Sequence, residues 1–276
     1  MSEETPLNYF ESAVASFSDA LDSAMKISML TGGRRDGERI AWASWIFLRL
    51  CVIGMSLIEL TKLKKQRAED GVYTLDHNSV AALSRNLIEA GLMFHYLTEH
   101  GMTETEWELR RTVLILHDNT TRYRIFKSWH QEEAANFRHA VEQLREELSN
   151  RDDFKGFNEE KRERLLSGQA MYLDGLRSVV RKAGWDVGRF DFVYAYLSTH
   201  THSSPVSFFR THIHGIDFDS PSEHQYSLSG FALEHAAQSL GSASKRMLEL
   251  YPDIVEGGPG WLDEIRRQGS PRGERE

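Results

Sequence analysis

From Pro6 to Pro205 the chain contains no proline between those two. Proline lacks a backbone donor and clashes with the preceding helical turn, so its absence over so long a stretch leaves helices free to run. Apolar residues recur there at helical spacing. Thr5-Pro6 is a capping residue followed by proline at the first helical position. Leu7, Phe10, Val14, Phe17, Leu21 and Met25 follow at steps of three and four, which predicts an amphipathic helix ending near Thr31-Gly32-Gly33. A second helix is expected over 38–67, apolar almost all round until Lys62, the pattern of a helix in the middle of a bundle. Asp76 caps a third, which Gly101 ends near His100. Thr103-Glu104-Thr105-Glu106 matches a capping box and opens a fourth. Its apolar side is Trp107, Val113, Leu114, Leu116 and Tyr123, and its basic side is Arg110, Arg111, Arg122 and Arg124.

The stretch 131–164 is dominated by Glu, Arg and Lys and reads as a projecting, charged helical hairpin that bends at Gly156. Helices are expected over 158–182, within 191–205 and over 226–251, the last with Leu233, Leu240 and Met247 at heptad spacing. The intervening 203–223 mixes apolar residues with His, Asp and Ser and fits either an irregular loop or a short strand pair. Beyond Pro252 the chain is rich in Gly, Pro and Arg, so 256–276 is expected to be a disordered tail. The sum is an all-α multi-helix bundle in a single domain over 1–255. The second, third and fourth helices and the one bearing Tyr194 are expected to form its core.

A net charge of −8 argues against a broad non-specific nucleic-acid footprint, though not against a local basic groove. The single cysteine, Cys51, allows no intramolecular disulfide and fits a reducing cytoplasm. The N-terminus, MSEETPLNYFE, lacks a basic segment followed by an apolar one, so it does not read as a signal peptide. The segment 40–60 is long and apolar, but Arg49 lies at its middle, where a bilayer would charge roughly 2.5–3.5 kcal/mol for it. No membrane span is therefore expected.

The chemistry-bearing residues lie on two helical faces. Arg85 and Glu89 are i,i+4 partners surrounded by Leu83, Leu87, Ile88, Leu92 and Phe94. A charged pair on so apolar a helix is kept either to fix helix register or to serve a site. Arg49 on the second helix is a candidate third member beside Glu89. Tyr194, Ser198 and His202 stack four residues apart, lining up a phenol, a hydroxyl and an imidazole. A hydrolytic serine would need an elbow of the Gly-x-Ser-x-Gly type, and none is present. His200, His202, His212, His214 and His224, with Asp217, Asp219 and Glu223, offer nitrogen and oxygen donors, but in a loose pattern. The paired Glu-x-x-His arrangement of di-iron bundles is missing, so no metal and no cofactor are expected.

Arg85-x3-Glu89 on an apolar helix, then Tyr194-x3-Ser198-x3-His202 about a hundred residues on, resembles a family of bacterial all-helical proteins catalogued as domain of unknown function number 5677. The likeness spans roughly 40–250 and implies an all-α fold with a shared polar site. A more distant similarity is to the helical nuclease domains of prokaryotic toxin and phage-defence systems, which carry an Arg and a His with four to six residues between them. Arg111 with His117 and Arg124 with His130 meet that spacing; Arg210 with His214 misses it. Two functions follow as expectations. One is a polar site of Arg49, Arg85, Glu89, Tyr194, Ser198 and His202 that takes a small polar ligand or RNA. Its most concrete form is a ribonuclease-like defence or toxin protein with His202 as general acid–base. The other is a non-catalytic helical interaction module in which the polar ladder is structural; a homo-oligomer is a separate expectation, tied to neither.

Overall fold

Thr5 accepts a hydrogen bond from the Asn8 backbone and Pro6 opens the first helix, so α1 (Pro6–Thr31) starts where a local capping argument puts it. In the computed structural model, which describes residues 5–32, 34, 37–62, 74–202, 204–216, 220–255, 260 and 262, the elements are helical throughout. The order continues as α2 (Glu38–Thr61), α3 (His77–Leu97), α4 (Glu104–Phe126), α5 (Gln131–Asn150), α6 (Asp152–Lys155) and α7 (Glu159–Leu166). It ends with α8 (Leu176–Lys182), α9 (Val187–Thr201), α10 (Pro205–Phe208), α11 (Glu223–Leu250) and α12 (Pro252–Val255). The all-α expectation holds. The segment 203–223 carries a short helix and turns, with no strand among the described residues. The expected end of the second helix at 62–67 falls mostly outside the described residues, and so does the 256–276 tail except for Gly260 and Leu262.

The chain divides into two units: Met1–Thr98 with Asp186–Glu276, and Glu99–Trp185. In the first, α11 packs along α1 and α3, α2 lies on α3 and α1, and α9 lies on α3. Phe10, Phe17, Leu21 and Ile27 of α1, Phe47, Leu50 and Leu57 of α2, and Leu87, Leu92 and Phe94 of α3 are buried there. Leu233, Leu240 and Met247 of α11 join them, as their heptad spacing predicts. The α3–α11 contact is close enough to need a glycine. A Cβ on Gly91 would stand 2.3 Å from Ser239 Oγ. Cys51 is buried, and that burial pushes its thiol pKa up to about 11.

The outer half of α2 is different. Trp45, Leu48, Val52 and Met55 are exposed, from 65% at Trp45 to 42% at Met55, and they alternate with the buried Phe47, Leu50 and Leu57. By length and composition α2 is also the one described helix able to cross a membrane, a test that buried core helices pass equally.

The second unit has its own core. Leu109, Val113 and Leu116 of α4 meet Val141 and Leu148 of α5, Phe154 of α6, Leu165 of α7 and Leu173. The charged stretch 131–164 is thus amphipathic helix with a buried apolar stripe, and α4 builds this core rather than that of the Tyr194 helix. Two sequence expectations are corrected here. Helix 158–182 is broken between α7 and α8: Gly168 (φ +71°), just past the end of α7, takes left-handed backbone, which stops a helix, and Gly175 (φ +80°) stands as the N-cap from which α8 starts. Arg110 does not belong to a basic face. It is buried and ion-paired with both Glu99 and Glu106, which leaves the outward charge of α4 to its neighbours.

Candidate functional site

The polar faces of α3 and α9 meet inside the first unit. Arg85 Nη2 donates to Glu89 Oε1 at 2.9 Å and to Tyr194 Oη at 2.5 Å. Tyr194 Oη in turn donates to the same Glu89 oxygen. The guanidinium lies 4.6 Å from the centre of the Tyr194 ring, so cation–π attraction adds to the hydrogen bonds. Phe190, one turn earlier on α9, covers the phenol with ring centres 5.3 Å apart. The result is a closed triangle of cation, anion and phenol that joins two helices far apart in sequence. Burial raises the Tyr194 pKa and the Glu89 carboxylate raises it further, against the opposing pull of Arg85. The phenol therefore stays protonated and donating at neutral pH.

The other residues of the expected site stand apart from this triangle. Ser198 Oγ is spent on its own helix, donating to the Tyr194 carbonyl at 2.5 Å. His202 is the C-cap of α9 and is exposed. It lies eight residues beyond Tyr194, about 12 Å along the helix axis. Arg49 is exposed on the outer side of α2 and has no ion pair with the described residues. The Arg–His pairs of nuclease-like spacing both fall in the second unit. There His117 Nδ1 meets the Gly168 carbonyl at 3.1 Å, and His130 packs against Phe126 and Trp129.

The histidine-rich segment is sorted by the fold. His202 and His212 are exposed, whereas His200, His214 and His224 draw together around His77, the first residue of α3. The His77 ring centre is 6.2 Å from that of His200 and 5.8 Å from that of His224, and His214 stacks on His224 at 3.8 Å. Burial lowers the pKa of His77, His200 and His224, and the neighbouring imidazoles lower it further. Asp76 and the Leu75 carbonyl pull His77 the other way, more weakly. Sequence reasoning missed His77, which has no helical or strand spacing to the others and joins them only through tertiary packing. In the arrangement shown, no group of three or more His, Cys, Asp or Glu among the described residues has converged as an ion would hold it.

Residues 42–220 match the model of a family of unknown function, DUF5677. No curated protein and no solved structure matches the chain.

Proposed function

The chain belongs to the DUF5677 family of unknown function, and from that premise we propose that it is a non-catalytic helical interaction module that pairs with a second copy of itself through α2. The observation that carries this reading is the outward stripe of Trp45, Leu48, Val52 and Met55. Its three-four-three spacing is that of a coiled-coil seam. Antiparallel pairing about an axis beside Leu50 sets Trp45 against Met55 of the second copy and Leu48 against its Val52. The same register brings Glu38 opposite Lys62 of the second copy, a complementary charge at each end. Arg49 then flanks the axis near its own counterpart, a like-charge approach that keeps the association weak and reversible. In this reading the Arg85–Glu89–Tyr194 triangle pins α3 to α9 and holds the scaffold behind the stripe, in a cytoplasmic bacterial protein.

Sedimentation velocity over a concentration series tests the pairing. We expect a monomer–dimer equilibrium that Leu48→Glu abolishes with helix content unchanged, and that Arg49→Leu tightens. A protein that stays monomeric throughout, or whose α2 face binds lipid vesicles instead, refutes self-pairing.

A second reading is supported by the end of α4. Arg122, Arg124 and Lys127 are exposed there beside Trp129, which is 82% exposed. Cationic side chains interleaved with a free aromatic face suit single-stranded RNA, in line with a ribonuclease-like toxin or phage-defence component. Binding and cleavage assays on single-stranded RNA, with Trp129→Ala and Lys127→Glu as variants, decide it: no binding by the wild-type protein removes this reading.

A further inference from the structure

The segment after α9 carries its large apolar side chains on the outside. Val206, Phe208, Phe209 and Ile213 are all exposed, from 50% at Phe208 to 67% at Ile213. None of the residues of α10 is buried. The rings of Phe208 and Phe209 meet edge to face with centres 4.9 Å apart, so they cover each other only in part. The segment is nonetheless firmly mounted. Ser204 Oγ donates to the Thr199 carbonyl of α9 at 2.7 Å, and His214 stacks on His224 of α11 at 3.8 Å.

Its polar groups are turned inward. The hydroxyls of Ser204, Ser207 and Thr211 all donate to backbone carbonyls, those of Thr199, Ser204 and Phe208. The N–H groups of Ser207, Phe209, Thr211, Ile213, His214 and Ile216 donate to carbonyls between Ser204 and Thr211. A protein partner gains specificity from free donors and acceptors around an apolar patch, and this segment offers few. A bilayer asks for the reverse, since backbone that nears hydrocarbon must be satisfied within the chain. The charge fits as well. Residues 204–216 hold no acidic side chain, and their one Lys or Arg, Arg210, is exposed and makes no ion pair among the described residues. Asp217 and Asp219 follow in the sequence, so electrostatic attraction is the smaller share and apolar insertion the larger.

We propose that the 205–216 segment is a peripheral anchor that inserts Phe208, Phe209, Val206 and Ile213 into the surface of an anionic lipid bilayer. The side chains reach about 5–10 Å, to the boundary of headgroups and acyl chains. Arg210 stands among them with a long apolar stem, which lets its guanidinium remain at the level of the lipid phosphates. A single anchor of this size gives reversible attachment, not a membrane span.

The test uses the full-length protein and sedimentation with vesicles of phosphatidylcholine mixed three to one with phosphatidylserine, and of phosphatidylcholine alone. We expect binding to both, tighter to the mixed vesicles. Phe208→Ser combined with Phe209→Ser should weaken it roughly tenfold or more, at positions exposed enough to leave the fold intact. Arg210→Gln should cost about fivefold on the mixed vesicles and nothing on phosphatidylcholine alone. Val206→Cys, labelled with a polarity-sensitive dye while the buried Cys51 stays unlabelled, should shift to the blue when vesicles are added. This readout keeps all three of Phe208, Phe209 and Ile213, so it holds if the double variant misfolds by circular dichroism. Leu48→Glu on α2 should leave vesicle binding unchanged, which separates this anchor from the pairing of α2. Absence of vesicle binding overturns the proposal, as does binding that survives the double variant or leaves the dye unshifted. Self-association without lipid that the double variant removes assigns the patch to a second copy and overturns it too.

Discussion

Tyr194→Phe is the sharpest probe of the α3–α9 junction, because it removes one oxygen and leaves the ring that packs on Phe190 and beneath Arg85. The phenol makes two hydrogen bonds, one from Arg85 Nη2 and one to Glu89 Oε1, both to charged partners. Such bonds contribute about 1.5–3 kcal/mol each when buried. Glu89 is 40% exposed, so water replaces most of what it loses, and Arg85 keeps its 2.9 Å bond to Glu89. The net cost should be about 1–2 kcal/mol. Arg85→Met should cost a similar amount, and the double variant less than the sum, with a coupling of about 1 kcal/mol. Urea denaturation at neutral pH measures all four proteins, followed by a probe in the first unit because the two units need not unfold together. A coupling below about 0.3 kcal/mol lies within the additivity expected of independent sites and refutes the triangle as a pin between the helices.

Acid should weaken the first unit before the second. In the unfolded chain imidazoles titrate at about 6.5, and folding lowers the pKa of His77, His200, His224 and also of buried His235, so the unfolded state takes up protons first. Their contribution is whole above about 6.5 and drains as pH falls toward the folded values. Urea midpoints should drop on acidification, and His224→Asn should flatten the dependence; an unchanged slope counts against the buried neutral cluster. In the second unit Gly168→Ala should cost about 2 kcal/mol or more, because the backbone is left-handed there and the new Cβ would stand 2.1 Å from Thr120 Oγ1. Thermal melts check this, and a variant as stable as the wild type refutes the close approach.

Features set by neighbours in sequence were legible. Thr5, Asp76 and Thr103 each cap the helix they were expected to cap, because a cap is made within four residues. Arg85, Glu89 and Tyr194 were legible as polar positions on apolar helices, where charge needs a partner. What failed was set by distant segments. Arg110 shares a helical wheel with exposed arginines, and only its two glutamates explain its burial. Ser198 and His202 share a face with Tyr194, but Ser198 bonds back to its own helix and His202 is left exposed at the helix end. The break after α7 turns on two glycines whose left-handed backbone has no distinguishing neighbour in the sequence.

The pairing of α1 with α11 also governs how the chain must be made. The second unit is an insertion, complete once Trp185 has been synthesised. The first is not complete until α11 has emerged, although α1 ends at Thr31. At 5–20 residues per second that is a wait of roughly 10–40 s on the ribosome. Throughout it, Phe10, Phe17, Leu21 and Ile27 lack the helix that shelters them. A nascent chain of this design should depend on a holding chaperone that the isolated insertion can do without, and stop codons between Trp185 and Leu250 should yield a folded insertion tethered to an unfinished host.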